Sequence, residues 1–291
     1  MPRDKQACAV AIILACGCYG AAFGNTEFIR PSAADAAASA FDDPNVVIDG
    51  ADEQSPLLVF LPGTEGRPKN LLPLLRAAAS RGYRVIGLTY DDVPAVAQVC
   101  PQDPAPDCSD RFRRARCFGG DGGPVSNSRA ESVEGRLSSL LRYLAQRHPS
   151  AGWETYMTDG HPQWSKLVLS GFSQGAGMAA YIAKRYPVRR VVLFSSPWDF
   201  TGPQREPAPW LSLPSATPPD RWWAERHARE RTSGLIMRAY AALRIPVDHI
   251  LIFNADLPSE AIARGPNPFH ASTVQLQIYA QQWRTMFGNA E

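Results

Sequence analysis

Five apolar runs punctuate the chain from residue 57 onward: LLVFL at 57–61, RVIGLT at 84–89, KLVLS at 166–170, VVLF at 191–194 and HILIF at 249–253. None shows the strict apolar–polar alternation of a strand with one wet face. Short runs of this kind fit strands covered on both sides, as in a parallel sheet. Between them lie stretches with helical spacing. Val133, Leu137, Leu140, Leu141 and Leu144 share one face of a helix that stops at His148-Pro149. Asn70 is a candidate cap for a helix through Leu71, Leu74, Leu75 and Ala78, and Ala176 to Tyr186 reads as another, closed by Pro187. A final helix is expected from Thr273 to Phe287. The alternation predicts an α/β architecture, with right-handed βαβ units building one doubly wound, mostly parallel sheet with helices on both faces. No repeat or low-complexity linker divides residues 46–291, which read as a single domain.

The first 45 residues break the pattern. Arg3 and Lys5 precede the apolar run ACAVAIILA, and Ala22 and Gly24 follow at positions that suit cleavage, so residues 1–24 read as an export signal. The expected location is outside the cell, in the periplasm or in the cell envelope. The apolar run falls short of the roughly 20 residues that a membrane span needs. Ile13-Leu14-Ala15-Cys16 loosely resembles a lipobox, and lipidation at Cys16 is the one route by which a membrane becomes a partner. Residues 25–45 are rich in Ala, Ser and Asp, and are expected to be a flexible lead-in.

Composition narrows the field. A net charge of +2 on 291 residues supplies no strong field for nucleic acid. Three cysteines lie beyond the expected export signal, at 100, 108 and 117. In an oxidising compartment Cys100 and Cys108 are candidates to close a short Pro-rich loop, leaving Cys117 over, although spacing alone leaves the pairing open. No Cys-x-x-Cys or Cys/His cluster suggests zinc, so neither metal nor cofactor is expected. RFRRAR at 111–116 reads as a solvated basic stretch within a long loop from Val93 to Gly123.

One motif carries chemistry. Gly171-Phe172-Ser173-Gln174-Gly175 directly follows KLVLS and opens the helix AGMAAYIAKRY. Gly-x-Ser-x-Gly between a strand and a helix holds a serine on a sharp turn above the sheet, with glycines leaving room for neighbouring backbone. The Gln174 amide sits at the helix N-terminus, where unpaired N–H groups favour a developing anion.

On these residues the chain resembles the α/β-hydrolase superfamily over about residues 46–288. GFSQGA is similar to the nucleophile elbow of cutinases and related secreted carboxylesterases. The resemblance implies a second oxyanion donor at Thr64, in the loop PGTEG after LLVFL. It also implies the chain order serine, acid, histidine, which selects His270 in GPNPFHAST over His148, His161, His227 and His249. Three carboxylates compete as the acid: Asp199 in SSPWDF, Glu230 in HARE and Asp256 in IFNADLP.

The choice turns on residues 218–230. Thr217-Pro218-Pro219-Asp220 reads locally as a helix start, which favours Asp256. The series SSPWDF, APW, TPPDRWW, HARE, AALRIP and PNPFH instead resembles a family of exported bacterial α/β-hydrolases. There the TP-x-x-R-aromatic-aromatic stretch is a strand, and the resemblance puts Glu230 at the usual acid position. Glu225 and Arg226 are poor residues for such a buried strand. The preferred set is Ser173, His270 and Glu230, with Gln174 and Thr64 as oxyanion donors.

The implied activity is cleavage of small-molecule or lipid-like carboxylic esters through an acyl-enzyme. Acyl transfer on the same residues and a catalytically inactive binding module are the alternatives. Residues 201–219, TGPQREPAPWLSLPSATPP, are too proline-rich for regular structure and occupy the place where this fold inserts lids. With Trp198, Trp210, Trp222 and Trp223 nearby in sequence, the segment reads either as a wall of an apolar acyl pocket or as aromatic packing under a loop.

Overall fold

A computed structural model describes residues 25–50, 54–121, 123–263 and 265–290. The segment read as an export signal, residues 1–24, lies outside the described residues. Eight strands form the main sheet: β1 (Thr26–Ile29), β2 (Asn45–Ile48), β3 (Leu57–Leu61), β4 (Arg84–Gly87), β5 (Leu167–Phe172), β6 (Arg190–Phe194), β7 (Trp222–His227) and β8 (Ile250–Phe253). Their order is β1-β2-β4-β3-β5-β6-β7-β8. β2 runs antiparallel to both its neighbours, and every other adjacent pair is parallel. All five strands expected from the apolar runs are present.

Four of those runs, in β3 to β6, are unbroken because each strand feeds two cores; the fifth, β8, lies at the sheet edge and leaves Ile252 exposed, so it is not covered on both sides as expected. Alternate residues point to opposite faces. Leu57, Val59 and Leu61 of β3 join Leu167, Leu169, Val191 and Leu193 on one face. Leu58, Phe60, Val168, Val192 and Phe194 occupy the other. The principal helices are α1 (Leu72–Ala79), α2 (Cys108–Phe118), α3 (Val133–Arg147), α4 (Gln174–Arg185), α5 (Ser233–Leu243), α6 (Pro268–Gln275) and α7 (Ala280–Phe287). Helices α2 to α5 cover the first face, and α1, α6 and α7 the second. Helix α3 starts where Ser132 Oγ accepts from the Gly135 amide. Asn70 makes no such cap; a single 3-10 turn, Pro68–Leu71, leads into α1 instead.

Four expectations need correction. Residues 25–45 are not a flexible lead-in, and the sheet begins before residue 46. β1 pairs along β2, and the Asn45 side chain donates to Ile29 O (3.0 Å) while accepting from the Thr89 amide (2.8 Å). Asp42 accepts from both Ser32 N and Ser32 Oγ at 2.8 Å, fixing the connection. Second, the stretch 93–123 is not a long loop: it carries a short helix, Val96–Val99, and α2, with Cys100 and Cys108 joined by a disulfide between them.

Third, RFRRAR lies within α2, with Arg113 and Arg116 buried. Arg116 donates to Asn127 Oδ1 (2.9 Å) and Val93 O (2.7 Å) and pairs with Asp91. Acceptors distant in sequence convert an apparently solvated cluster into core. Fourth, the last helix is interrupted: Leu276 is extended, and a 3-10 turn at Gln277–Tyr279 separates α6 from α7.

The open question at 218–230 resolves as strand. Thr217-Pro218-Pro219-Asp220 yields only one 3-10 turn, Pro219–Arg221, before β7 begins. Trp222 and Ala224 are buried, and β7 is bonded on both sides, to β6 and β8, which outweighs the local helix signal. Glu225 is accommodated in this strand by the Ser195 hydroxyl, which donates to its Oε1 at 3.1 Å. Burial, with the charge of Glu230 adding to it, pushes the Glu225 carboxyl well above the usual range.

Candidate active site

Ser173 caps α4 with φ 52° and ψ −117°, a left-handed conformation that a residue with a side chain adopts only when its surroundings hold it. Its amide donates to Phe194 O (2.9 Å) on β6. The flanking glycines are demanded by contact. A Cβ on Gly171 would lie 2.4 Å from the Gly175 carbonyl carbon, and one on Gly175 would lie 2.0 Å from Leu61 O. The turn is thus pressed onto the end of β3.

The loop after β3 approaches from the same side. A Cβ on Gly63 would stand 2.9 Å from Phe172 Cδ1 and 3.1 Å from Ser173 Cβ. Thr64, next in this loop, lines a cavity together with Ser173, Gln174, Trp198 and His270. Gln174 is the first residue of α4, so its amide has no acceptor within the helix. The two sequence-nominated donors, Thr64 and Gln174, therefore border the same space as the serine.

The five histidines separate cleanly. His148 lies 2.9 Å from Glu27 on the edge strand, and His161 meets Glu134 at 3.0 Å. His249 stacks on Trp223 with ring centres 4.2 Å apart. His227 is buried against Phe269, and burial pushes its imidazole below the ordinary range. His270 alone borders the Ser173 cavity. Its ring packs on Phe172 (4.6 Å) and edge-on to Trp198 (5.9 Å).

The three candidate acids diverge as sharply. Glu230 lies just after β7, in a turn where its amide donates to His227 O (3.1 Å) and its carbonyl accepts from Ser233 N (3.0 Å). Its side chain is 0% exposed, and His270 Nδ1 lies 2.7 Å from Oε1. Thr232 Oγ1 donates to the same oxygen at 3.1 Å. Asp199 is equally buried but belongs to Arg113: Nε reaches Oδ1 at 3.0 Å and Nη2 reaches Oδ2 at 2.7 Å. Asp256 is 98% exposed on the surface and pairs with Arg229. Neither of these two is a hydrogen-bond partner of His270.

The cavity holds about 270 Å³ and has a mostly apolar lining, with Ala95, Ala97 and Gln98 completing the wall. These three residues fall in the stretch expected to be a long loop and had no assigned role; two alanines and a glutamine carry no signal of their own. Of the tryptophans, only Trp198 borders the cavity. Trp210 is buried with its indole N–H on Asp199 Oδ1 (3.1 Å), and Trp222 donates to Thr217 O (3.1 Å) in the core. Residues 201–219 pack by aromatic anchoring, with a two-residue hairpin pairing (Phe200–Thr201 with Glu206–Pro207) and a short helix at Pro209–Ser212. Among the described residues, no group of three His, Cys, Asp or Glu side chains could hold a metal ion.

No family model and no curated protein matches the sequence. Solved structures similar in shape include esterase 2 of Thermogutta terrifontis, at 16% identity over 94% of this chain and 98% of that one, with a TM-score of 0.46. An esterase from the archaeon Pyrobaculum calidifontis is 14% identical over 91% and 86%, with a TM-score of 0.46. Carboxyl esterase 2 of the fungus Tuber melanosporum is 10% identical over 93% and 90%, with a TM-score of 0.45. Likenesses this distant carry no argument about activity, and the fold is read from the chain itself. A mostly parallel eight-stranded sheet covered on both faces, with a Gly-x-Ser-x-Gly turn leading from its fifth strand into a helix, makes this an α/β-hydrolase fold.

Proposed function

We propose that the protein is an exported serine hydrolase that cleaves carboxylic esters through an acyl-enzyme on Ser173. The observation that carries this reading is the convergence of Ser173, on its strained turn, with His270, whose Nδ1 meets buried Glu230 at 2.7 Å. Glu230 Oε1 accepts a hydrogen bond from the Nδ1–H, which fixes the tautomer and leaves Nε2 as the base. Ser173 Oγ attacks the ester carbonyl as Nε2 removes its proton. The Gln174 and Thr64 amides receive the oxyanion, a contribution of roughly 3 kcal/mol for each donor in comparable sites. Nε2 returns the proton to the leaving alkoxide, and water then releases the acid by the same steps.

The small apolar cavity bordered by Ala95, Ala97 and Trp198 favours short acyl chains. Export is supported by the N-terminal pattern and by the Cys100–Cys108 disulfide, a bond that persists in oxidising compartments. The test is labelling with a fluorophosphonate probe, followed by peptide mapping, and turnover of short-chain p-nitrophenyl esters. Labelling at Ser173 and loss of turnover in Ser173→Ala are expected. A folded protein that neither reacts with the probe nor turns over any ester in the panel would be a binding module.

A further inference from the structure

The ion pair of Arg113 and Asp199 is a buried polar assembly that the proposed ester chemistry does not use. Both side chains are 0% exposed, and the guanidinium grips both carboxylate oxygens. Its third nitrogen turns to the nucleophile turn: Nη1 donates to Gln174 O at 2.9 Å and lies 3.2 Å from Gln174 Oε1. The same Oε1 accepts from the Val96 amide at 3.2 Å, so one carboxamide ties α2, α4 and the Ala95–Gln98 cavity wall together. The guanidinium lies flat against the first turn of α4. A Cβ on Gly177 would fall 2.1 Å from Nη2 and 2.3 Å from Cζ, so no larger residue fits there without displacing it.

A buried ion pair is poor support for stability in itself, since an apolar replacement of similar volume is often neutral or better. Strained backbone, by contrast, persists only where the surroundings over-determine it. Ser173 is strained, and Gln174, the next residue, is held at two atoms by Arg113. We propose that Arg113, clamped by Asp199, is a positioning residue that fixes Gln174 and thereby holds the Ser173 turn and the oxyanion amide in their reactive arrangement. The proposal rests on the reading of Ser173 as the nucleophile. Asp199 also accepts from Trp210, which anchors the proline-rich segment to the same clamp.

The decisive variant is R113M/D199N, which removes both charges and leaves an acceptor for Trp210. Its melting temperature should stay near that of the wild type, while kcat on a short p-nitrophenyl ester falls about 10- to 100-fold, the scale of a misplaced reacting group. KM should change less than about threefold. The acid-side midpoint of the pH–rate profile should not move, because neither Arg113 nor Asp199 contacts His270. Q174M removes the Oε1 anchor and leaves the ion pair intact; a kcat loss of about three- to tenfold with the same constant KM is expected. A folded R113M/D199N protein with kcat within twofold of wild type overturns the proposal, as does a parallel shift of KM and pH midpoint. If the double variant does not fold, an unchanged kcat in Q174M overturns it. Wild-type labelling at Ser173 separates the two readings: without it both fall, and with it only the positioning role is at stake.

Discussion

Asp199 and Glu230 are two buried carboxyls lying just beyond the ends of adjacent strands, and each meets a nitrogen base. They differ in what that base can do. Asp199 faces a guanidinium that stays charged at any working pH, and its oxygens are taken up by Arg113 and Trp210. Burial works against the Arg113 charge, but the neighbouring Asp199 holds it above its ordinary range. Glu230 faces an imidazole, the one side chain that ordinarily gains and loses a proton near neutrality. Burial and position at a strand end are common to both, so neither property separates them; the proposal that Glu230 is the acid rests on its contact with His270.

The largest effect expected from this contrast is on the Glu230 side. Glu230→Ala should reduce kcat by about 10³- to 10⁴-fold, the scale seen when an orienting acid is lost from such a constellation. Steady-state turnover of a short p-nitrophenyl ester measures it, and a loss below tenfold would place the acid elsewhere. Asp199→Ala should lower kcat by no more than the roughly 10- to 100-fold expected from loss of the Arg113 clamp, and should act strongly on stability. It leaves the Arg113 charge buried without its partner, which costs about 3–5 kcal/mol. Urea unfolding followed by circular dichroism reads this, and an unchanged midpoint would show the pair to be dispensable for the fold.

Glu225 sharpens the comparison, because it is a further buried carboxyl and has no cationic partner among the described residues. Its folded-state pKa is raised by burial and by Glu230, while in the unfolded chain it titrates in the ordinary range. Stability from keeping it neutral is therefore fully present below the ordinary carboxyl range and drains as pH rises from there toward the raised folded value. Glu225→Gln carries no such penalty. Its melting temperature relative to wild type should climb between pH 4 and pH 8; a gap that stays flat or narrows would mean the carboxyl is not held neutral.

The same three residues show what was legible in the sequence. Four of the five strands were readable because two-sided burial leaves an unbroken apolar run; β8, at the sheet edge, kept an apolar run although Ile252 is exposed. β7 was not readable from its own residues, since Glu225 and His227 are polar in type yet become interior, against Ser195 and Phe269, while Arg226 is half-buried on the Ser233 hydroxyl. The Gly-x-Ser-x-Gly turn was readable because its spacing is a backbone requirement. α2 was misread for the opposite reason: Arg113 and Arg116 have acceptors at Asp199 and Asp91, and nothing local announces them. β1 was hidden in a small-residue segment whose order depends on Asn45 and Asp42.

Asp256 sets the lower bound of the comparison. From sequence it was a candidate beside Asp199, favoured by the helix reading of Thr217-Pro218-Pro219-Asp220. In the fold its side chain is 98% exposed and paired with Arg229, whose guanidinium also lies 4.7 Å from the Phe269 ring. An exposed ion pair contributes little, because water screens both charges and two side chains must be ordered to form it. Asp256→Ala should therefore leave kcat within about twofold and the melting temperature within about 1 °C of wild type. A larger loss of kcat would mean that Arg229 needs its partner to hold Phe269, next to His270, in place. In that case the boundary between the catalytic carboxyl and its rivals would be drawn by the loop around His270 as well as by the proton-accepting partner.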